Sequence, residues 1–277
     1  MDRYALIGHP VAHSKSPSIH AAFAAQTGEA MTYERILAPL DGFVDTVRDF
    51  IAAGGRGMNV TVPFKLEAFA LADHLSPRAQ AAGAVNTLSF RADGIHGDNT
   101  DGVGVVRDLI VNLDCPLAGR RVLLLGAGGA ARGAIQPLIE AAPRALHIAN
   151  RTAAKAVELA GEFDGLAGAI PLTASGFDDL GIAAFDVIIN ATSASLSSAA
   201  PAIPDTVYAP GALAYDMMYG AEPTAFLIAA STAGAARVAD GLGMLIEQAA
   251  ESFLIWRGVR PDTAPVLAAQ RATLAGG

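Results

Sequence analysis

Val122-Leu123-Leu124-Leu125-Gly126-Ala127-Gly128-Gly129-Ala130-Ala131-Arg132 carries the strongest topological signal in this chain. Four aliphatic residues in a row read as a strand buried on both faces. The glycines and the helix-forming run behind them make G-x-G-x-x-A in the strand–turn–helix setting that this motif requires. Gly126 permits the tight turn, Gly128 lets a pyrophosphate approach the backbone, and Ala131 is small enough for close helix–strand packing. Ala127, Gly129 and Ala130 complete a loop whose helix N-terminus offers free amides to an anion. The expected unit is a Rossmann-type, doubly wound dinucleotide-binding domain.

The next strand of such a unit usually ends in Asp or Glu, which holds the ribose hydroxyls. Here it ends Ala149-Asn150-Arg151-Thr152, with Lys155 one turn later. Two cations and a helix N-terminus, with Thr152 as its N-cap, suit a 2′-phosphate. A plain diol would lose its usual partner there. The expected cofactor is NADP.

Working outward, strand-like and helical runs alternate along the chain, the α/β pattern. Strands are predicted at 4–8, 58–62, 84–88, 94–97, 121–125, 145–149, 169–172, 185–190, 212–216 and 237–239. Helices are predicted near 41–53, 65–72, 76–82, 100–112, 130–141, 152–163 and 244–256. A further helix starts at Ser16-Pro17, with Ser16 as N-cap. Residues 114–119 read as a boundary and 193–204 as a loop. The length, 277 residues, suits two domains, and 52% hydrophobic content against 17% charged leaves ample material for cores. A net charge of −8 argues against a nucleic-acid binder. The single cysteine, Cys115, fits a reducing compartment. The opening residues are too charged for a signal peptide. No apolar run approaches the roughly 18 residues of a membrane helix. A cytoplasmic protein without membrane partners is expected. The six histidines show no metal-ligand spacing, so no metal is assigned. No G-x-S-x-G elbow supports acyl hydrolysis.

A second signal lies in Asn59-Val60-Thr61-Val62-Pro63-Phe64-Lys65, read with Gly97-Asp98-Asn99-Thr100-Asp101-Gly102. The chain has three lysines against sixteen arginines. A lysine retained here can lose a proton, which a guanidinium cannot do. Lys65 with Asp101 forms a candidate acid–base pair for a sugar-like hydroxyl. Ser14 and Ser16, two residues apart before a helix, offer hydroxyls and a helix N-terminus to a small carboxylate.

Taken together, these motifs closely resemble the shikimate dehydrogenase family over almost the whole length. The resemblance rests on the stretches already quoted, on Ala84-Val85-Asn86-Thr87 and Asn190-Ala191-Thr192-Ser193, and on Tyr215-Asp216-Met217-Met218-Tyr219 and Asp240-Gly241-Leu242-Gly243-Met244 with Gln248 one turn on. It implies a discontinuous substrate domain, 1–102 plus 242–277, and an NADP domain, 103–241. It implies reduction of 3-dehydroshikimate to shikimate by NADPH, with a monomer or homodimer as the working form. Ser14 and Ser16 would hold the substrate carboxylate. Asn59, Thr61, Asn86, Asp101, Tyr219 and Gln248 would line the ring-hydroxyl pocket, with Lys65 and Asp101 catalytic. Met217 and Gly241 would flank the nicotinamide, and Thr192 would lie on the cofactor side. Two departures stand out. Ala194-Ser195-Leu196 follows Ser193 where a glycine is usual, and Pro77 replaces a commonly acidic residue. The rivals are an NAD-using quinate/shikimate dehydrogenase, disfavoured by Arg151, and a non-catalytic sensor of a shikimate-like ligand, expected to lack Lys65 or Asp101.

Overall fold

The computed structural model describes residues 1–181, 183–192, 194 and 199–276. The chain divides into two units: Met1–Gly104 with Ile246–Ala269, and Val105–Leu245 with the residues from Gln270 onward. The division falls at Gly104/Val105, inside a helix, and not at the predicted boundary 114–119. The residues from Gln270 group with the second unit, whereas the sequence reading placed all of 242–277 with the first.

The first unit opens with β1 (Asp2–Gly8), α1 (Ser16–Thr27), β2 (Met31–Leu37), α2 (Phe43–Ala52) and β3 (Gly55–Val60). There follow α3 (Lys65–Leu71), β4 (His74–Leu75), α4 (Pro77–Ala82), β5 (Thr87–Arg91) and β6 (Gly94–Asp98). The strands form one mixed sheet in the order β2-β1-β3-β5-β6-β4. β1 runs parallel to β2 and β3, while β5 lies antiparallel to β3 and β6. One face packs Ala5, Ile7, Met58, Val60 and Leu88 against Phe43, Val47, Phe50 and Phe64.

Several predicted bounds move, each for a local reason. β3 stops at Val60 because the Thr61 amide turns to the Ile7 carbonyl, and Pro63, with no N–H, cannot continue a ladder. The strand predicted at 84–88 is β5 at Thr87–Arg91, because Val85 and Asn86 donate to the Lys65 and Asp98 carbonyls. β2 was not predicted. It is an edge strand with Met31 its one buried residue, so it lacks the apolar alternation that marks a strand.

The second unit takes its first helix from α5 (Asp101–Arg107), which starts in the first unit and continues as a wider turn over Asp108–Asn112. It then alternates β7 (Arg121–Leu125), α6 (Gly129–Glu140), β8 (Ala145–Asn150), α7 (Ala153–Ala167), β9 (Leu172–Gly176), β10 (Phe185–Asn190), β11 (Tyr208–Asp216), α8 (Ala225–Thr232) and β12 (Arg237–Asp240). Two helices follow, α9 (Leu242–Arg257) and α10 (Ala264–Ala275), and the division of the units falls within each. β9 begins three residues later than predicted because Pro171 accepts from Leu146 but cannot donate. α8 and α10 were not predicted. All the pairings in this sheet are parallel, in the order β12-β11-β10-β7-β8-β9. The strand order reverses between β7 and β10, so the loop after β7 stands at the topological switch point where such sheets bind ligands. Among the described residues no helix is long and apolar enough to cross a membrane.

Candidate active site

In the first unit Lys65 is the first residue of α3 and Asp101 the first of α5. The two helix starts bring the Lys65 Nζ within 2.5 Å of Asp101 Oδ2. Both side chains are partly shielded, at 31% and 19% exposure. Asp101 is held on its other side as well: Oδ1 accepts from Asn86 Nδ2 at 2.8 Å, and its amide donates to Asn99 Oδ1 at 3.1 Å. An ammonium carries three N–H donors. One meets Asp101, and the others have no partner among the described residues, so they are free for a substrate oxygen.

A buried network of hydroxyls and amides surrounds this pair. Asn86 Oδ1 accepts from Thr87 Oγ1 and from the Thr100 amide, at 2.8 and 2.9 Å. Asn59 Nδ2 donates to Thr87 Oγ1 and Ser252 Oγ at 3.1 and 2.9 Å, while Tyr33 donates to Asn59 Oδ1 at 2.8 Å. The amide protons of both asparagines are thus engaged within the protein, which makes them struts that fix their neighbours. Gln248 Oε1 lies 3.4 Å from Thr100 Oγ1. Thr61 is half-buried, and its hydroxyl makes no hydrogen bond among the described residues.

Ser14 and Ser16 stand together, their hydroxyl oxygens 3.2 Å apart. The N-cap of α1 is Lys15, not Ser16 as predicted. Ser16 already lies in the first turn, where its own amide needs a partner and finds Ser14 Oγ at 3.2 Å. Arg35, on β2, donates twice to the Ser14 carbonyl, at 3.1 and 2.6 Å, and brings positive charge to this corner.

The second unit carries the glycine loop. Gly126 has φ +112°, and a Cβ there would lie 3.1 Å from the Ala191 carbonyl oxygen, so only glycine fits without strain. Gly128 caps α6 with no side chain bonded to the helix start. A Cβ on Gly128 or Gly129 would meet nothing within 4 Å. Ala127 is half-buried and Ala130 exposed. The amides are therefore unblocked for an anion. At the end of β8, Asn150 Nδ2 donates to the Thr152 carbonyl at 3.0 Å and shapes the turn. Thr152 occupies the N-cap of α7, but its side chain makes no capping bond. Arg151, Thr152 and Lys155 are exposed, and neither cation forms an ion pair among the described residues. This donor set, with no carboxylate at the strand end, fits a dinucleotide bearing a 2′-phosphate.

A third cluster in this unit shapes the loops after β10 and β11. Buried Asn190 accepts from the Thr192 amide and hydroxyl at 3.1 and 2.8 Å, and donates to Asp216 Oδ1 at 3.2 Å. Asp216 accepts from the Met218 amide and from Thr224 Oγ1 at 3.0 and 2.6 Å. The Met217 amide reaches the Asn190 carbonyl at 3.0 Å. A Cβ on Gly241 would sit 2.2 Å from the Met217 carbonyl oxygen, so this close approach requires glycine. Tyr219 follows on the same loop. Burial, helped by the Asp240 charge, raises its phenol pKa. At the departure after Asn190, the Ala194 amide donates to Thr192 Oγ1 at 3.3 Å. Ser193, Ser195 and Leu196 lie outside the described residues.

The structure thus gathers Ser14 and Ser16 at one point of the first unit, and Lys65, Asp101 and Asn86 at another, the latter networked to Asn59 and Gln248. In the second unit it places Gly126, Ala127, Gly128, Gly129 and Ala130 after β7, and Asn150, Arg151, Thr152 and Lys155 after β8. Thr192, Met217, Tyr219 and Gly241 follow β10, β11 and β12. Sequence reasoning missed Thr87, Thr100 and Ser252, all fully buried. It also missed Arg78, whose guanidinium grips Asp98 at 2.6 and 3.0 Å and Glu251 at 2.9 Å, and so braces the strand leading to Asp101. Ser252 left one signal: it breaks the apolar stripe of α9, one turn after Gln248.

Three family models match successive stretches: a shikimate dehydrogenase substrate binding domain over residues 6–88, a shikimate / quinate 5-dehydrogenase over 110–200, and a shikimate 5'-dehydrogenase C-terminal domain over 241–269. The shikimate dehydrogenase (NADP(+)) of Aromatoleum aromaticum is 63% identical over 100% of this chain and 99% of its own. The chain belongs to the shikimate dehydrogenase family. A solved shikimate 5-dehydrogenase from Thermus thermophilus, in complex with NADP(H) and shikimate, superposes with a TM-score of 0.85 at 35% identity, over 99% of this chain and 100% of that one. An Ael1 enzyme from Pseudomonas putida matches with a TM-score of 0.92 at 50% identity, over 97% and 98%. Family membership accounts for the pairing of a mixed-sheet unit with a parallel, doubly wound one.

Proposed function

We propose that this chain catalyses the reversible, NADPH-dependent reduction of 3-dehydroshikimate to shikimate. It is an NADP-dependent oxidoreductase acting on a CH–OH group, like the relatives named above. The observation that carries the chemistry is the Lys65–Asp101 pair at 2.5 Å. In this reading the first unit holds the substrate and the second the cofactor. The partners are these small molecules, the working form is a monomer or homodimer, and the setting is the cytoplasm, which the reduced, buried Cys115 suits.

Ser14 and Ser16 bind the substrate carboxylate with hydroxyl donors, and Arg35 adds charge behind them. When bound, NADPH supplies the hydride. Lys65 gives a proton to the carbonyl oxygen as that oxygen gains negative charge, and recovers it in the reverse direction. Asp101 anchors the ammonium and accepts from a ring hydroxyl, while Asn86 keeps the carboxylate from turning away. Thr61, Gln248 and Tyr219 complete the ring-hydroxyl contacts, with Asn59 as a buried support. Gly126, Gly128 and the start of α6 receive the pyrophosphate, and Arg151 and Lys155 the 2′-phosphate. Met217 and Gly241 shape the nicotinamide side, next to Thr192.

The test is absorbance at the NADPH band with purified protein. Rapid NADPH consumption with 3-dehydroshikimate is expected, with shikimate preferred to quinate and NADP to NAD in the reverse direction. Folded protein that leaves NADPH untouched in the presence of 3-dehydroshikimate would overturn the reading.

A further inference from the structure

Outside the catalytic pair, the first unit assembles a second group of chemically capable side chains at the free edge of its sheet. β4 is two residues long and pairs with β6 alone, in parallel, with His74 opposite His96 and Leu75 opposite Gly97. Direct register puts both imidazoles on one face, with ring centroids 4.6 Å apart and planes inclined by 35°. The turn joining β5 to β6 supplies Asp93, whose Oδ1 lies 3.0 Å from His96 Nε2. One donor atom from each of the three residues falls within 4.8 Å of the others. The backbone beneath is fixed: the Asp73 amide donates to the Ile95 carbonyl at 2.8 Å, and Asp73 Oδ2 accepts the Ile95 amide at 2.8 Å.

From this geometry we infer that His74, Asp93 and His96 form a binding site for a divalent transition metal of the zinc class. Two imidazoles and one carboxylate are the donor set of an open tetrahedral zinc site, with water in the fourth position. Bonds of about 2.0–2.2 Å in a tetrahedron need donors roughly 3.3 Å apart. The three side chains are exposed or half-exposed, so small rotations close the gap without moving a core. Calcium and magnesium are disfavoured, because they take oxygen ligands. Spacing cannot reveal the group, since His74 sits far from Asp93 and His96 along the chain. The sheet register alone unites them. Bound there, the ion ties β4 and the β5–β6 turn to β6, which leads into Asn99, Thr100 and Asp101.

The test uses untagged, full-length protein stripped of metal and titrated calorimetrically with Zn²⁺ in a buffer that does not chelate. One Zn²⁺ per chain is expected. His74→Gln, His96→Gln and Asp93→Asn should each weaken binding, the histidine changes by about tenfold or more, and the double histidine variant should abolish it. The melting temperature of the unmodified protein should rise with stoichiometric Zn²⁺, and that of the double variant should not move. Acidification should weaken uptake, because protons compete for the same nitrogens. No uptake by folded unmodified protein, or equal uptake by the double variant, would overturn the site. The second outcome would assign any zinc to other histidines such as His9 or His13.

Discussion

Lys65 differs from the other two lysines in what its ammonium touches: among the described residues it alone is paired, with Asp101. Lys65→Ala should lower turnover by about 10²-fold or more while KM stays within a few-fold, because the proton donor is lost and most substrate contacts remain. Lys65→Arg should not restore it, since a guanidinium keeps its proton. Steady-state rates with 3-dehydroshikimate decide this, and near-normal turnover in Lys65→Ala would remove Lys65 from the chemistry. Asn86 acts one step back. Asn86→Ala removes the donor to Asp101 Oδ1 and the acceptor of the Thr100 amide. A turnover loss of about tenfold is expected, well short of additive with Asp101→Asn, because the two act as a unit. Full additivity in that cycle would assign Asn86 a separate role.

At the scale of elements, the proposed function assigns the choice of cofactor to the start of α7. A charge-assisted hydrogen bond contributes about 1.5–3 kcal/mol, so Arg151 and Lys155 together can favour NADP over NAD by roughly 10²–10⁴-fold. Arg151→Ala should weaken NADP binding much more than NAD binding, and the double change with Lys155→Ala should bring the two near parity. Titration of each cofactor against protein fluorescence measures both affinities. Equal NAD and NADP affinity in the unmodified protein at low salt would refute the assignment. The start of β12's following turn makes a steric demand instead. In Gly241→Ala the new methyl would lie 2.2 Å from the Met217 carbonyl oxygen, so the loop carrying Met217 must shift. Destabilisation of about 1–3 kcal/mol and weaker NADP binding are expected. Urea unfolding and the same titration check both, and an unchanged midpoint would show that the loop has room to yield.

At the scale of the molecule, His20 makes stability depend on pH. It is fully buried between Tyr33, Phe253 and Trp256, and among the described residues neither ring nitrogen reaches a partner with good hydrogen-bond geometry. Burial pushes its pKa down from 6.5 to about 3. The unfolded chain therefore takes up this proton near pH 6.5, and the folded protein only near pH 3. Above pH 6.5 both states are neutral and the group is silent. As pH falls below 6.5 the unfolded state gains, and at pH 5 the loss is about 2 kcal/mol. His20→Leu should shrink the difference in unfolding free energy between pH 7.5 and pH 5 by about that amount. An unchanged difference would show that His20 does not titrate on unfolding.

The aliphatic run of β7 and the glycines behind it were legible in the amino-acid order because a parallel strand buried on both faces, and a turn demanding glycine, are local requirements. β10 was read to the residue for the same reason: Phe185–Asn190 is an almost unbroken buried run. Lys65, Asp101, Arg151 and the paired serines stood out because their types were unusual for their places. What escaped the sequence depends on partners far away along the chain. β2 and β4 are edge strands whose existence rests on pairing, not on their own apolar pattern. Thr87, Thr100 and Ser252 look like ordinary hydroxyls until the fold buries them around Asn59 and Asn86. The place where the units divide, and the meeting of His74 with His96, were likewise decided by tertiary structure. Local periodicity records which face of an element is buried, while register and long-range contact determine what that face meets.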